Sequence, residues 1–184
     1  MQSLHMAEQP ETPFVQLPDT EEWLQRINRA SVIANTQSQL LDSSLARNIR
    51  QALNTLREQA KTDSNYAHSN LYIEFEPKLL ALTGVQASVL HLGRSSQDIL
   101  ATANSGMNRE RVVMLVQIVN ELIQTIVEVA KREKESVVPV YTNGVQAQPT
   151  LYSHYLLAHA HVFVRDITRL QECYHRFSQC PMGS

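Results

Sequence analysis

Seven apolar residues near the end of the chain, Leu156, Ala160, Phe163, Ile167, Leu170, Tyr174 and Phe177, are spaced 4-3-4-3-4-3. Alternating steps of four and three keep side chains on one side of an α-helix. At 1.5 Å per residue the stripe is about 33 Å long, a seam made to lie along partner helices. A second period precedes it. Apolar residues fall at 112, 115, 116, 119, 122, 123, 126, 127 and 130, a helical repeat from Val112 to Ala130. The linker between the two periods holds Pro139, Gly144 and Pro149. The spacing therefore predicts two long antiparallel neighbours, the second helix starting at Pro149 or Thr150. Two such stripes cannot be buried against each other alone, so the helices belong to a larger bundle completed by further chain or by other subunits.

Shorter helices are expected upstream. Asp19 followed by Glu22 reads as a helix cap, with Trp23, Ile27, Ala30 and Ala34 at helical spacing behind it. A helix from Ser43 to Lys61 would bury Leu45, Ile49, Leu53 and Leu56 before Thr62-Asp63-Ser64-Asn65 interrupts the pattern. Another is expected from Leu71 to Leu82, closed by Gly84, with Pro77 near its start or at a kink. Pro10, Pro13 and Pro18 make residues 1–18 an extended arm. No strand pattern of useful length appears, and residues 135–140 read as a short extended connector. The expected class is all-α: a small N-terminal helical domain over 19–108, then the first long helices of a central bundle over 109–184, incomplete in this chain.

Composition narrows the function classes. The chain has 184 residues, 43% hydrophobic and 18% charged, with a net charge of −2. It contains no basic run that would neutralise a phosphate backbone, so no nucleic-acid partner is expected. Lys131-Arg132-Glu133-Lys134-Glu135 mixes signs and reads as a solvated helix end. No run approaches the roughly 18 consecutive apolar residues of a membrane span, and Met1–Met6 lacks the flank and core of a signal peptide. Cys173 and Cys180 lie seven apart on one expected helix, about 10 Å along its axis. That is too far for a disulfide within the helix, so they read as unpaired apolar fillers near a helix end in a reducing cytosol. His154, His159 and His161 share a helix without the i, i+4 spacing of a metal pair. No metal and no cofactor are expected.

The chemistry concentrates in two polar islands, Leu92-Gly93-Arg94-Ser95-Ser96-Gln97-Asp98 and Tyr141-Thr142-Asn143-Gly144-Val145-Gln146-Ala147-Gln148-Pro149. Uncharged hydrogen-bonding groups at helix ends, where orphan N–H groups point outward, suit carboxylates. Arg94 adds a guanidinium able to take a carboxylate in bidentate fashion. The same residues also have a purely structural reading: Ser95 or Ser96 as a helix cap, Thr142-Asn143-Gly144 as a turn.

These islands resemble two of the three signature regions of the argininosuccinate lyase branch of the fumarase/aspartase superfamily. Gly93-Arg94-Ser95-Ser96-Gln97-Asp98 stands against a Gly-Arg-Ser-Arg-Asn-Asp pattern. Tyr141-Thr142-Asn143, Ala147-Gln148-Pro149 and His154-Tyr155-Leu156-Leu157-Ala158 stand against the second signature and the helix after it. Two departures matter: the family's histidine is Asn143, and its Arg-Asn pair is Ser96-Gln97. The resemblance implies anti β-elimination from a succinyl adduct, with fumarate released and the dianionic intermediate held by preorganised donors. It implies substrate contacts from Arg94, Ser95, Ser96, Gln97, Thr142, Asn143 and Gln148, a small dicarboxylate-type substrate and a cytoplasmic homotetramer. It assigns no certain catalytic residue here, because the catalytic serine belongs to a third signature beyond residue 184. His91 precedes the first signature and would orient that loop. The ending Pro181-Met182-Gly183-Ser184 resembles the start of the family's next loop, which makes the chain look truncated and inactive by itself. Two further readings stay open: a superfamily lyase for a different N-succinyl amine, and a non-catalytic helical assembly protein.

Overall fold

In a computed structural model, which describes residues 19–183, the chain is helical apart from one hairpin. The expected arm over residues 1–18 lies outside the described residues. Helix α1 spans Thr20–Gln37, α2 Ser43–Thr62, α3 Tyr72–Thr83, α4 Ser96–Arg132 and α5 Tyr152–Phe177. A 3₁₀ turn, Val85–His91, leads towards α4, and strands β1 (Val137–Thr142) and β2 (Val145–Leu151) join α4 to α5.

The first core forms where α1, α2, α3 and the 3₁₀ turn enclose the start of α4. Leu24, Ile49, Leu53, Phe75, Leu90 and Ile99 are fully buried there. Asp19 caps α1 as expected, its Oδ1 accepting from Glu22 N at 2.8 Å. The buried face of α1, however, differs from the expected stripe. Ala30 and Ala34 are exposed, while Glu21, Gln25, Asn28 and Ser31 are buried beside Leu24 and Ile27. These four polar residues follow one another at steps of 4, 3 and 3, so they share one helical face. Reading apolarity alone rotated the helix away from its true contact. Pro77 sits in the middle of α3. The carbonyl it leaves without a helical partner belongs to Ile73, a residue 62% exposed, on the open side of the helix.

Helix α4 begins well before Val112 and runs unbroken across residue 108. With 37 residues it is about 55 Å long. Trp23 of α1 lies flat against Gly106 of α4, and its Nε1 donates to Glu110 Oε2 at 3.1 Å. Arg26 Nη1 pairs with Glu110 Oε1 at 2.7 Å. These contacts fix the first core onto the long helix.

α4 and α5 pack antiparallel, as the two apolar periods predict. Arg109 Nη2 donates to Tyr174 Oη at 2.5 Å near one end, and Val127 and Ala130 line one groove with Ser153 and Leu157 near the other. All seven seam residues of α5 are buried or half-buried. The pair is nonetheless incomplete as a core. Val113, Leu115, Ile118 and Leu122 on α4, and Tyr155, Leu157, Val162 and Val164 on α5, remain 40–53% exposed. An 18-residue window of α4 has mean hydropathy 1.7, long and apolar enough by length and composition alone to cross a membrane. Its interruption by Gln117, Asn120 and Glu121 suits a bundle helix with one polar side. Cys173 and Cys180 are free and exposed, not apolar fillers: Cys173 lies off the seam and Cys180 beyond the end of α5.

The hairpin overturns two expectations. Residues 137–151 form antiparallel strands where a connector was expected, and α5 starts at Tyr152 and not at Pro149 or Thr150. Pro149 and Thr150 are strand residues, paired with Pro139 and Val138. The Asn143-Gly144 tip has φ of 51° and 79°. That pair of left-handed residues makes a tight hairpin turn whose twist matches the strands, and Asn-Gly is its preferred sequence. The signal was present in the sequence, and periodicity alone passed over it.

Candidate active site

The first island is a sharp turn feeding the N-terminus of α4. Gly93 adopts φ 78°, which a side-chain-bearing residue rarely takes, and Arg94 N donates to His91 O at 3.0 Å. Ser95 then caps α4. Its Oγ accepts from Gln97 N at 3.1 Å, and Asp98 Oδ2 accepts from Ser95 N at 2.8 Å, a reciprocal capping box. The Ser95 hydroxyl keeps a free O–H donor while it caps. Ser96 and Gln97 occupy the first turn, where the helix end carries roughly +0.5 of a charge. Neither of their side chains is engaged in a hydrogen bond among the described residues. The donors therefore stand at the end of the helix where an anion is favoured.

Arg94 is half-buried and tied to α1. Its Nη1 donates to Ser31 Oγ at 3.0 Å and to His91 Nδ1 at 3.3 Å. His91 is buried, edge-on to Tyr72 at 5.0 Å, with Nε2 3.0 Å from Asn28 Oδ1. Asn28 Nδ2 donates onward to Leu24 O at 2.7 Å. His91 thus orients the first-island loop, the role its position suggests. Asn28 and Ser31, which sequence reading passed over, are the α1 side of that arrangement. Their signal was the run of polar residues on one face of α1.

Burial, and then the charge of Arg94, push the His91 pKa from 6.5 down to about 4. The histidine is therefore neutral in the folded protein across the ordinary pH range. The unfolded chain takes up a proton at pH values where the folded chain does not, so stability falls as pH drops from 6.5 to about 4. This group alone contributes a loss on the order of 3 kcal/mol across that window. Urea midpoints measured across the window in wild type and His91→Gln test this. Wild type loses stability on acidification, and a profile no steeper than that of His91→Gln would contradict the assignment.

The second island sits on the hairpin. Thr142, Asn143 and Gly144 form its exposed tip, and Gln148 lies on β2 opposite Val140, also exposed. The register shifts between Val140 and Tyr141, with Ala147 the extra residue on β2, a break of the kind that bends a strand locally. Tyr141 Oη accepts from Gln146 Nε2 at 3.3 Å. The first island leads into the start of α4 and the second follows its end, and α4 itself is about 55 Å long. No small ligand touches both in one copy of the chain. Of the other histidines, His154, His159 and His161 are exposed, and His68 pairs with Asp19 at 2.8 Å. No group of three metal-ligating side chains occurs among the described residues.

The lyase family matches this chain over residues 5–184. The argininosuccinate lyase of Methanosarcina barkeri (strain Fusaro / DSM 804) is 31% identical over 130 residues, 70% of this chain and 26% of that protein. That of Geobacillus sp. (strain WCH70) is 32% identical over 148 residues, 79% of this chain and 32% of that protein. Among solved structures, an EDDS lyase variant with bound fumarate superimposes with a TM-score of 0.81 at 27% identity, covering 89% of this chain and 32% of its own. The chain belongs to the lyase family and is an argininosuccinate lyase-like member of the fumarase/aspartase superfamily. It spans between a quarter and a third of the length of these relatives.

Proposed function

We propose that this chain carries the substrate-carboxylate half of a carbon–nitrogen lyase of argininosuccinate lyase type, which eliminates an amine from an N-succinyl compound and releases fumarate. The observation that carries the proposal is the first island: a guanidinium locked beside an N-terminal helix cap, with Ser95, Ser96 and Gln97 offering donors around it. Charge develops on a carboxylate during such an elimination, and fixed donors are the main means of stabilising it. Thr142, Asn143 and Gln148 would complete the site from another copy, because α4 holds them too far away within one copy. The exposed apolar faces of α4 and α5 support a homo-oligomer, a tetramer by analogy with the family. Assembly and carboxylate binding together favour a lyase over a purely structural protein.

A second reading concerns the amine. Ser96-Gln97 and Asn143 depart from the argininosuccinate lyase pattern at positions expected to face the ligand, and EDDS lyase is a structural relative. These departures favour an N-succinyl amine other than argininosuccinate.

By itself the 184-residue chain is expected to show no enzymatic elimination. Asn143 has no group that gains or gives up a proton near neutral pH, and the segments corresponding to the rest of the relatives are needed to supply an acid and a base. General acid–base catalysis contributes about 10²–10⁴-fold, and positioning more. Fumarate absorbance, followed with purified chain and argininosuccinate, tests this. Steady turnover that vanishes in a Ser95→Ala, Thr142→Ala double variant would overturn it. With the remaining segments present, release of fumarate from argininosuccinate or from another N-succinyl amine separates the two substrate readings. No release from either would sink the lyase proposal.

A further inference from the structure

We propose that Asn28 and His91 are positioning residues that hold Arg94 so that its Nε–Nη2 edge is the edge that takes a ligand carboxylate. The inference rests on the dicarboxylate reading above and adds two residues and an orientation to it.

The hydrogen-bond chemistry admits only one assignment. A guanidinium donates and never accepts, so the His91 Nδ1 lying 3.3 Å from Arg94 Nη1 must present a lone pair. A neutral imidazole with its lone pair at Nδ1 carries its proton on Nε2. That proton points at Asn28 Oδ1, 3.0 Å away. Asn28 exposes its oxygen there because its Nδ2 is already committed to Leu24 O at 2.7 Å. Each link fixes the next, from the backbone of α1 to the guanidinium.

One edge of the Arg94 guanidinium is left over. Nη1 has two hydrogens, one directed to His91 and one to Ser31 Oγ at 3.0 Å. Nε and Nη2 have no hydrogen-bond partner among the described residues, and Arg94 forms no ion pair with any of them. The Nε–Nη2 edge is a parallel pair of donors with the spacing of a carboxylate. It belongs to the residue that directly precedes the helix cap.

His91 serves this arrangement only while neutral. The groups facing it are Asn28 from α1, Tyr72 from α3 and Arg94 from its own loop, with Ser31 reached through Arg94. Arg94 is the only charge among them. Protonation at Nδ1 would set two donors against each other and expel the guanidinium. The depressed pKa of about 4 keeps the relay intact across the ordinary range.

The test is a fumarate titration of the chain carrying ¹⁵N-labelled arginine and histidine, followed at Arg94 Nε and at both His91 nitrogens. Wild type should show the unprotonated signal at His91 Nδ1 and a saturable shift at Arg94 Nε, absent at the exposed Arg50. Asn28→Ala should weaken fumarate binding about tenfold or more, a loss of about 1.4 kcal/mol. Asn28→Asp keeps the acceptor and should restore binding at alkaline pH. Its carboxylate raises the His91 pKa, so binding by that variant should then fall on mild acidification where wild type is flat. A merely structural role for Asn28 would move the melting temperature without creating that new pH dependence. No saturable shift at Arg94, a proton on Nδ1, or equal affinity and equal pH profiles in wild type and both variants would overturn the inference. Fumarate captured at Arg94 without elimination by the assembled protein would sink the lyase reading alone. Elimination indifferent to Asn28→Ala would sink the positioning role alone.

Discussion

Phe163→Asp is expected to abolish assembly and to leave the α4–α5 pair poorly formed, while Arg169→Ala on the same helix is silent. Phe163 lies in the middle of the α5 seam and is half-buried, on a helix that packs along α4. Removing an aromatic of this size forfeits up to about 1.5–3 kcal/mol of burial, the full range applying once assembly covers it. A carboxylate in its place is either desolvated without a partner or driven to protonate, a further cost of several kcal/mol. Arg169 is exposed and, among the described residues, pairs with Asp166 alone, three residues earlier on the same surface. Its loss should stay within about 0.5 kcal/mol. Light scattering and circular dichroism on both variants decide the matter. Equal oligomer size and equal helicity would remove the seam from the account.

Gly106→Ala is expected to destabilise the chain although it improves intrinsic helix propensity. A Cβ at position 106 would lie 2.3–2.5 Å from Cζ3, Cη2 and Cε3 of Trp23, and real carbon atoms do not approach so closely. The methyl would gain up to ~1 kcal/mol of helix propensity. Against that, the indole must move, and Glu110 holds it by the Nε1 hydrogen bond while Arg26 stacks over it at 4.8 Å. Overpacking of this kind costs about 1–3 kcal/mol or more, so the net sign is destabilising. The double variant Gly106→Ala, Trp23→Leu should recover part of the loss. A single variant at least as stable as wild type in urea would show that the indole yields freely.

The long helices were legible in the sequence because packing wrote a period into them that composition could not hide. The seam from Leu156 to Phe177 faces α4 as its spacing required. α1 was found and capped correctly but rotated, since half of its buried face is polar and a search for apolar residues discards such positions. The hairpin was missed for a related reason: its strands are almost wholly exposed, so they show no alternation, and only the Asn143-Gly144 pair marked the turn. The site followed the same division. The island residues stood out because helix ends and turns use recognisable chemistry. Asn28 and Ser31 did not, because their partners are 63 residues distant and no local pattern encodes such a pairing.

The polar face of α1 has one more consequence. An oily helix can slide or roll in its groove with little penalty, because one aliphatic contact substitutes for another. α1 cannot. Glu21 accepts from Tyr66 Oη and Ser69 N, Asn28 meets His91, and Ser31 meets Arg94. A slip of one residue would strand all three at once, each at about 1–3 kcal/mol. The helix thus works as a toothed key cut to fit one lock. Its teeth measure out where the loop before α4 must stand, and they reject near misses that hydrophobic contact alone would tolerate.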